Sequence, residues 1–325
     1  MRFFRDAKFK FIELRQKAYV VSAVVLALGL GAMGLNLFSL GGLMNYGVDF
    51  TGGTLVQVRV AAGTTDAELR EALGGAQAPP ITRFGADDEY VIRTALDDEG
   101  TVEDAAADIQ AQLAASPIVG EFEVVRTEFV GPKIGAELGQ KATLAILISF
   151  LLTLIYIGFR FEFRFGLAAI IATLHDLLIT LGFLAIFRVE ISLPTVAAVL
   201  TIIGYSLNDT IVVFDRIREN LAKKGARRED PVALINRSIN EVLPRTVMTS
   251  GTTLAVLCAL LILGGAVIRD FTLVLILGVI IGTYSSIFVA SPALIEIQKR
   301  MGTREEAARA KEKKKRSRKK EAIPV

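Results

Sequence analysis

Tryptophan is absent from this 325-residue chain, and cysteine and histidine each occur once, as Cys258 and His175. A lone cysteine rules out an intrachain disulfide framework. With one histidine and one cysteine far apart, no His/Cys metal-ligand spacing exists. No Ser-His-Asp order or nucleophile elbow accompanies them, so nucleophilic catalysis has no sequence support. These absences argue against an enzyme and against a metal or organic cofactor. Without tryptophan, any interfacial aromatic belt must come from Tyr and Phe; Phe159, Phe161, Phe163 and Phe165 cluster where such a belt would lie.

Charge is also missing in long stretches. The chain is 52% hydrophobic with a mean hydropathy of +0.48. Its apolar residues gather into six runs: 18–40, 138–158, 165–187, 191–214, 245–265 and 271–295. Each is long enough to cross roughly 30 Å of hydrocarbon as a helix. The first run follows a basic segment, but it is too long for a signal-peptide core and has no clear small-x-small cleavage site, so it reads as a retained span.

What charge there is divides by sign. Residues 1–17, 159–164, 215–245 and the tail from Lys299 hold 28 of the 37 Lys/Arg; residues 41–137 hold six, against 17 Asp/Glu. The positive-inside rule therefore predicts both termini in the cytoplasm and 41–137 outside. The layout read from this is a cytoplasmic N-terminus (1–17), a first span (18–40) and an extracytoplasmic α+β domain (41–137). A five-helix bundle (138–298) follows, with a polar cytoplasmic loop at 215–244 read as a surface-lying helix. A basic tail (299–325) closes the chain. The tail sets topology, or touches anionic lipid or ribosomal RNA.

Within 41–137 the pattern is strand, helix, strand, strand, helix, strand. Residues 54–60 alternate as a strand and 65–73 open with a Thr-Asp cap. Short strands at 81–84 and 90–94 flank a turn at 85–88. Residues 101–115 begin with a capping box, and 121–129 form the last strand. That order is the ferredoxin-like split βαβ unit. The segment 47–53, Gly-Val-Asp-Phe-Thr-Gly-Gly, is not a phosphate-binding fingerprint. It reads as a structural turn feeding a strand, built on Gly47, Gly52 and Gly53, with Asp49 capping backbone amides.

The most informative residue is Asp209, a carboxylate inside the fourth run. A carboxylate in hydrocarbon costs a few kcal/mol or more, so it marks pairing or transport. Thr201, Tyr205, Asn208 and Asp209 share one helical face, as do Arg245, Thr249, Thr252 and Thr253 in the fifth run. Thr173, Asp176 and Thr180 do so in the third, beside His175. Asp209 lies roughly 8 Å inside its span and Arg245 opens the next span at the same level, so contact between them is expected. A static buried salt bridge is one reading. The other is a titrating site in which helix movement brings Arg245 to Asp209 or withdraws it. His175 with Asp176, and Tyr205, Asn208 and Thr249, are candidates for a relay or gate. Gly278 and Gly282 permit close helix approach in the sixth run.

The stretches 47–53, His175-Asp176, Gly204-Tyr-Ser-Leu-Asn-Asp-Thr210, Asp215-Arg-Ile-Arg-Glu-Asn220 and Leu243-Pro-Arg-Thr246 together resemble the SecD/SecF family of bacterial protein-export membrane proteins, on its SecF side. The resemblance covers the chain apart from the basic tail. It implies one six-span half of a resistance-nodulation-division (RND) type machine in the cytoplasmic membrane, paired with a SecD half. That machine assists the SecY-containing channel and uses protons to help move unfolded polypeptides. By the motif match Asp209 is the proton carrier and Arg245 its partner. Membrane lipid is the other implied contact, with no specific nucleic acid. A solute exporter of the same superfamily and a non-energetic translocon scaffold are the competing readings.

Overall fold

The structure, a computed structural model, describes residues 8–75, 78–84, 88–94, 102–223, 229–265 and 268–301. The turn at 85–87, the first residue of the capping box at 101 and the tail beyond 301 lie outside the described residues. Among the described residues six helices are long and apolar enough to span a membrane. The first is α1 (Arg15–Leu40), entered by a 3-10 turn at Ile12–Leu14. The others are α5 (Pro132–Arg160), α6 (Phe163–Ile186), α7 (Leu193–Ala222), α8 (Pro231–Leu263) and α9 (Arg269–Ser285). A π-turn at Ser286–Ala290 carries α9 on to Met301. Local chemistry sets their ends. Pro132 and Pro231 sit at helix starts, where the missing N–H costs nothing; Asp230 accepts from the Ala233 amide at 3.1 Å. Gly41, at φ +72°, closes α1 in the left-handed region.

The helices divide into an inner and an outer set. Half or more of the apolar windows of α6, α7 and α9 are buried (56%, 56% and 50%), against 11%, 11% and 17% for α1, α5 and α8. Small residues permit the inner contacts. A Cβ on Gly29 would lie 2.7 Å from the Gly182 backbone, so α1 and α6 cross at bare glycines. A Cβ on Gly278 would meet Ile202 at 2.1 Å, and one on Gly282 would meet Ser206 at 2.9 Å. The spacing at 278 and 282 thus does seat α9 against α7. The expected aromatic belt is only half present. Phe159 and Phe163 are exposed, whereas Phe161 and Phe165 are buried against Phe214. Cys258 is exposed on α8.

The polar stretch 215–244 is not a separate surface helix. Its described residues mostly continue α7 and α8 beyond the apolar zone. Ion pairs and amides hold these extensions together. Arg160 pairs with Asp215 at 2.7 Å, Arg216 with Glu241 at 2.6 Å, and Asn220 donates to Ser238 at 2.9 Å. Asn236 and Asn240 accept from the amides of Ile12 and Phe9, each at 3.0 Å, and so dock the N-terminal segment on α8. Pro244 is carried inside α8.

Between α1 and α5 sits the α+β domain. Its strands are β2 (Gly53–Val60), β3 (Ile81–Arg83), β4 (Glu89–Thr94) and β5 (Phe122–Val130), with helices α3 (Asp66–Ala72) and α4 (Val102–Ala115). The spatial order is β3-β4-β2-β5 and every neighbour is antiparallel, the ferredoxin-like topology. One sheet face buries Val56, Val58, Val60, Tyr90 and Ile92 against Leu69, Ile109 and Leu113 of the two helices. The other face looks onto the end of the bundle across a polar cavity of about 210 Å³, lined among others by Gln57, Arg126, Glu190 and Asp270. A full capping box starts α3. The Thr65 amide and hydroxyl donate to Glu68 at 2.7 and 2.9 Å, and the Glu68 amide returns to Thr65 Oγ1 at 3.3 Å. Those donors hold the Glu68 carboxyl below its ordinary range.

Candidate functional site

Among the described residues two buried carboxylates lie in the bundle, Asp176 facing α7 and Asp209 carried on it. Asp176, on α6, is 1% exposed. Its Oδ1 meets His175 Nδ1 at 2.8 Å; its Oδ2 accepts from the Ser206 hydroxyl of α7 and, at 2.6 Å, from Ser285 of α9. The polar chain runs on through His175 Nε2, which meets Ser22 Oγ of α1 at 3.0 Å. Ser22 in turn contacts the Tyr284 hydroxyl at 3.2 Å. Tyr284 donates to the Ala18 carbonyl at 3.0 Å. Four helices thus meet on one hydrogen-bonded layer, in a medium that offers no water to replace a missing partner.

Asp209, on α7 and 3% exposed, is held more loosely. Its Oδ2 accepts from Ser250 of α8 and Thr283 of α9, both at 3.3 Å, and those two hydroxyls are 2.7 Å apart. No ion pair joins it to Arg245. The contact expected from the sequence is missing because Arg245 lies on the exposed face of α8, whereas Asp209 is turned into the bundle.

The polar faces read from the sequence divide accordingly. Thr173, Asp176 and Thr180 are buried in the bundle. Thr201, Asn208, Thr249 and Thr252 are exposed, and Tyr205 is half-buried, donating to Thr253 at 3.3 Å. The α7 and α8 stripes therefore form one outward-facing polar strip that ends at Arg245. Only Asp209 turns inward from it. The hydroxyls that complete the layer, Ser22, Ser206, Ser250, Thr283, Tyr284 and Ser285, escaped the sequence reading. The run Thr283-Tyr-Ser-Ser286 within an apolar span was the available signal.

The glycine-rich turn is a junction. Residues Val48–Thr51 make one helical turn, α2. Asn45–Tyr46 (β1) pairs in parallel with Glu190–Ile191 (β6), and the Gly47 amide donates to the Ile191 carbonyl at 2.9 Å. Asp49 does accept from a backbone amide, but the amide is that of Leu193 at the start of α7, at 2.8 Å. Gly52, at φ +74°, lies so close to α5 that a Cβ would stand 2.6 Å from the Pro132 Cα. Arg93 of β4 forms an ion pair with Glu190. The exit of α1, the first domain strand and the starts of α5 and α7 are thus tied at one point. Among the described residues no group of three His, Cys, Asp or Glu is placed to hold a metal ion.

Comparison with known proteins agrees with this architecture. Residues 110–300 match the family described as protein export membrane protein SecD/SecF, C-terminal, and residues 44–63 match the SecD/SecF GG motif. The chain is 44% identical over 318 residues to protein translocase subunit SecF of Gemmatimonas aurantiaca, covering 96% of this chain and 93% of that one. It is also 44% identical over 289 residues to the same subunit of Desulfurispirillum indicum, covering 88% and 90%. The crystal structure of SecDF from Thermus thermophilus, a translocon-associated membrane protein, superposes with a TM-score of 0.79 at 39% identity. It covers 92% of this chain, which spans 40% of that longer one. A six-span bundle with one ferredoxin-like domain, the GG junction and these matches along nearly the whole chain place it in the SecF branch of the SecD/SecF family of protein-export membrane proteins.

Proposed function

We propose that the chain is one half of a proton-driven machine that works beside the Sec channel in the bacterial cytoplasmic membrane, paired with a SecD half. Asp209 is the proton-carrying carboxylate and Arg245 the cation that sets its charge state. The observation that carries this reading is the placement of Asp209. It is buried with two neutral donors at the long limit of hydrogen bonding, one face away from an unpaired intramembrane arginine. A carboxylate so weakly held changes partners readily, whereas a fixed ion pair would not. Arg245 cannot lose its own proton, so it acts by position. With Arg245 near, Asp209 is favoured ionised; with Arg245 withdrawn, it is favoured protonated. Each proton crossing the membrane supplies about 2.3 kcal/mol per 100 mV. No cofactor besides the proton enters the scheme.

Pairing rests on the outward polar strip of Thr201, Asn208, Arg245, Thr249 and Thr252. Such a strip against lipid is unfavourable, and a second six-span half would cover it. The solved SecDF chain is long enough to hold both halves. The positive-inside distribution of this chain supports an outer position for the domain and cytoplasmic termini, with the exported polypeptide and lipid as further contacts. The decisive experiment is Asp209→Asn. It should insert and assemble normally yet abolish proton-gradient-stimulated export in membrane vesicles. Normal stimulation would leave the scaffold reading.

A further inference from the structure

The turn that ends α6 is closed by a residue that does not suit it. Phe187 caps the helix, and the Val189 amide donates back to the Leu184 carbonyl at 3.1 Å, so Arg188 takes the left-handed position of a Schellman turn. With φ at +51° it is the one non-glycine residue at positive φ among the described residues. Glycine would adopt that conformation freely, whereas an arginine is strained by its Cβ. Strain of this kind persists where the surroundings fix it, and it points to a use for the side chain. The usual structural use is already filled. A basic side chain near a helix C-terminus can satisfy the last carbonyls, but here side-chain amides do so. Asn36 donates to the Ala185 carbonyl at 3.0 Å and Asn45 to that of Arg188 at 2.9 Å. Among the described residues no ion pair or side-chain hydrogen bond reaches the Arg188 guanidinium. Glu190, two residues on, is taken by Arg93. Arg188 is nonetheless half-buried, and its Nη1 is covered by protein with no acceptor. A covered cation without a counter-charge is unfavourable, so the site calls for an anion.

The place of the turn says which anion. Arg188 is the first charged residue after the apolar run of α6, at the end of the bundle that carries the α+β domain. The surface beside it is apolar and exposed: Ile186 and Phe187 on its own segment, and Phe38 and Leu40 at the end of α1, which Asn36 ties to α6. Exposed aliphatic and aromatic groups beside an arginine at the limit of a span match the boundary between hydrocarbon and headgroups, and phosphate is the anion of that layer. We propose that Arg188 binds the phosphate of a membrane phospholipid in the leaflet on the domain side. A guanidinium presents paired N–H donors that match two phosphate oxygens, so one headgroup gives Nη1 an acceptor and the side chain its counter-charge. A carboxylate of a second chain has related chemistry, but the polar strip proposed to face such a chain runs along α7 and α8, not along α1 and α6. The bound lipid fixes the depth of the α6 turn and, through Asn45, that of the strand pair at the glycine junction.

Amide hydrogen exchange of the full chain in detergent reads the site locally, apart from the basic groups at the other end of the bundle. The probes are phosphatidylglycerol, a diacylglycerol with the same acyl chains and no phosphate, and inorganic phosphate. Phosphatidylglycerol should slow exchange in residues 184–191 about tenfold at about ten times its dissociation constant, because opening the turn must first release the lipid. The diacylglycerol and inorganic phosphate should leave that segment unchanged. Arg188→Gly suits the left-handed backbone, so its melting temperature in lipid-free detergent should not fall below that of the parent. It should nevertheless lose the slowing by phosphatidylglycerol. No slowing in the parent, an equal effect of the diacylglycerol, or an undiminished effect in Arg188→Gly overturns the proposal. Protection by inorganic phosphate alone would assign the site to a free anion, and protection that needs a second protein chain would assign it to a carboxylate of that chain. Either result overturns the phospholipid as occupant.

Discussion

Asp176 and Asp209 sit in the same bundle, both nearly inaccessible, and are held in opposite ways. Asp176 has a histidine and two close hydroxyl donors, all from inner helices or its own. Asp209 has two hydroxyls at 3.3 Å, one of them from the outer helix α8. A third carboxylate, Glu68, completes the series: half-exposed, it is tied to a helix cap in the α+β domain. Burial alone therefore does not separate a working acid from a structural one. The number, length and helix of origin of the donors do.

Removing the best-held group should have the largest effect. Asp176→Ala strands His175 and two serines, and truncating one member of a buried pair costs about 3–5 kcal/mol. A sharp fall in thermal stability of the purified protein is expected, with Asp209→Asn close to the parent. Equal losses in the two variants would erase the distinction drawn here. Next in size is Gly282→Val, which forces a side chain against the Ser206 backbone and moves that donor off Asp176. Overpacking of this kind costs about 1–3 kcal/mol. Its melting temperature should fall while that of Gly251→Val, where a Cβ meets nothing within 4 Å, falls less.

Smaller effects sharpen the comparison at its weak end. Ser250→Ala removes one long contact from Asp209 and should cost under about 1 kcal/mol, since its 3.3 Å bond lies at the limit of useful geometry. A loss as large as that of Ser285→Ala would mean Asp209 is held as firmly as Asp176. In the α+β domain, Thr65→Ala should cost about 0.5–2 kcal/mol of helix stability through the lost cap. Because the Glu68 carboxyl lies below its unfolded value, its contribution is present above the ordinary carboxylate range and is lost as pH falls through the folded value. Amide exchange in α3 should accelerate on acidification, and Glu68→Gln should flatten that dependence.

The span count, the ferredoxin-like order and the carboxylate in the fourth span could all be read from the sequence, because each rests on a local rule. Hydrocarbon demands long uncharged runs, strands alternate, and an acid among Ile and Val stands out. Helix ends were less legible. Polar residues at 215–244 read as a loop, but helices need not stop where the apolar zone stops, and α7 and α8 run on as ion-paired extensions. The expected ion pair to Asp209 failed for another reason: periodicity alone does not show that Arg245 lies on the outer face of α8.

Periodicity along the chain dictates which residues share a helical face, whereas packing between helices dictates where each face looks. Helix periodicity placed Thr201, Tyr205, Asn208 and Asp209 together, and Thr173, Asp176 and Thr180 together. It could not say that the first set, Asp209 excepted, turns outward and the second inward. Those rotations come from close approaches between distant segments: Gly29 on Gly182, Gly278 on Ile202 and Gly282 on Ser206. They also brought unremarkable serines, Ser22, Ser206 and Ser285, onto the one histidine and its aspartate. A hydroxyl in a span is a common residue with a local backbone partner. It becomes part of a site only when packing delivers a second polar group to it across a helix interface.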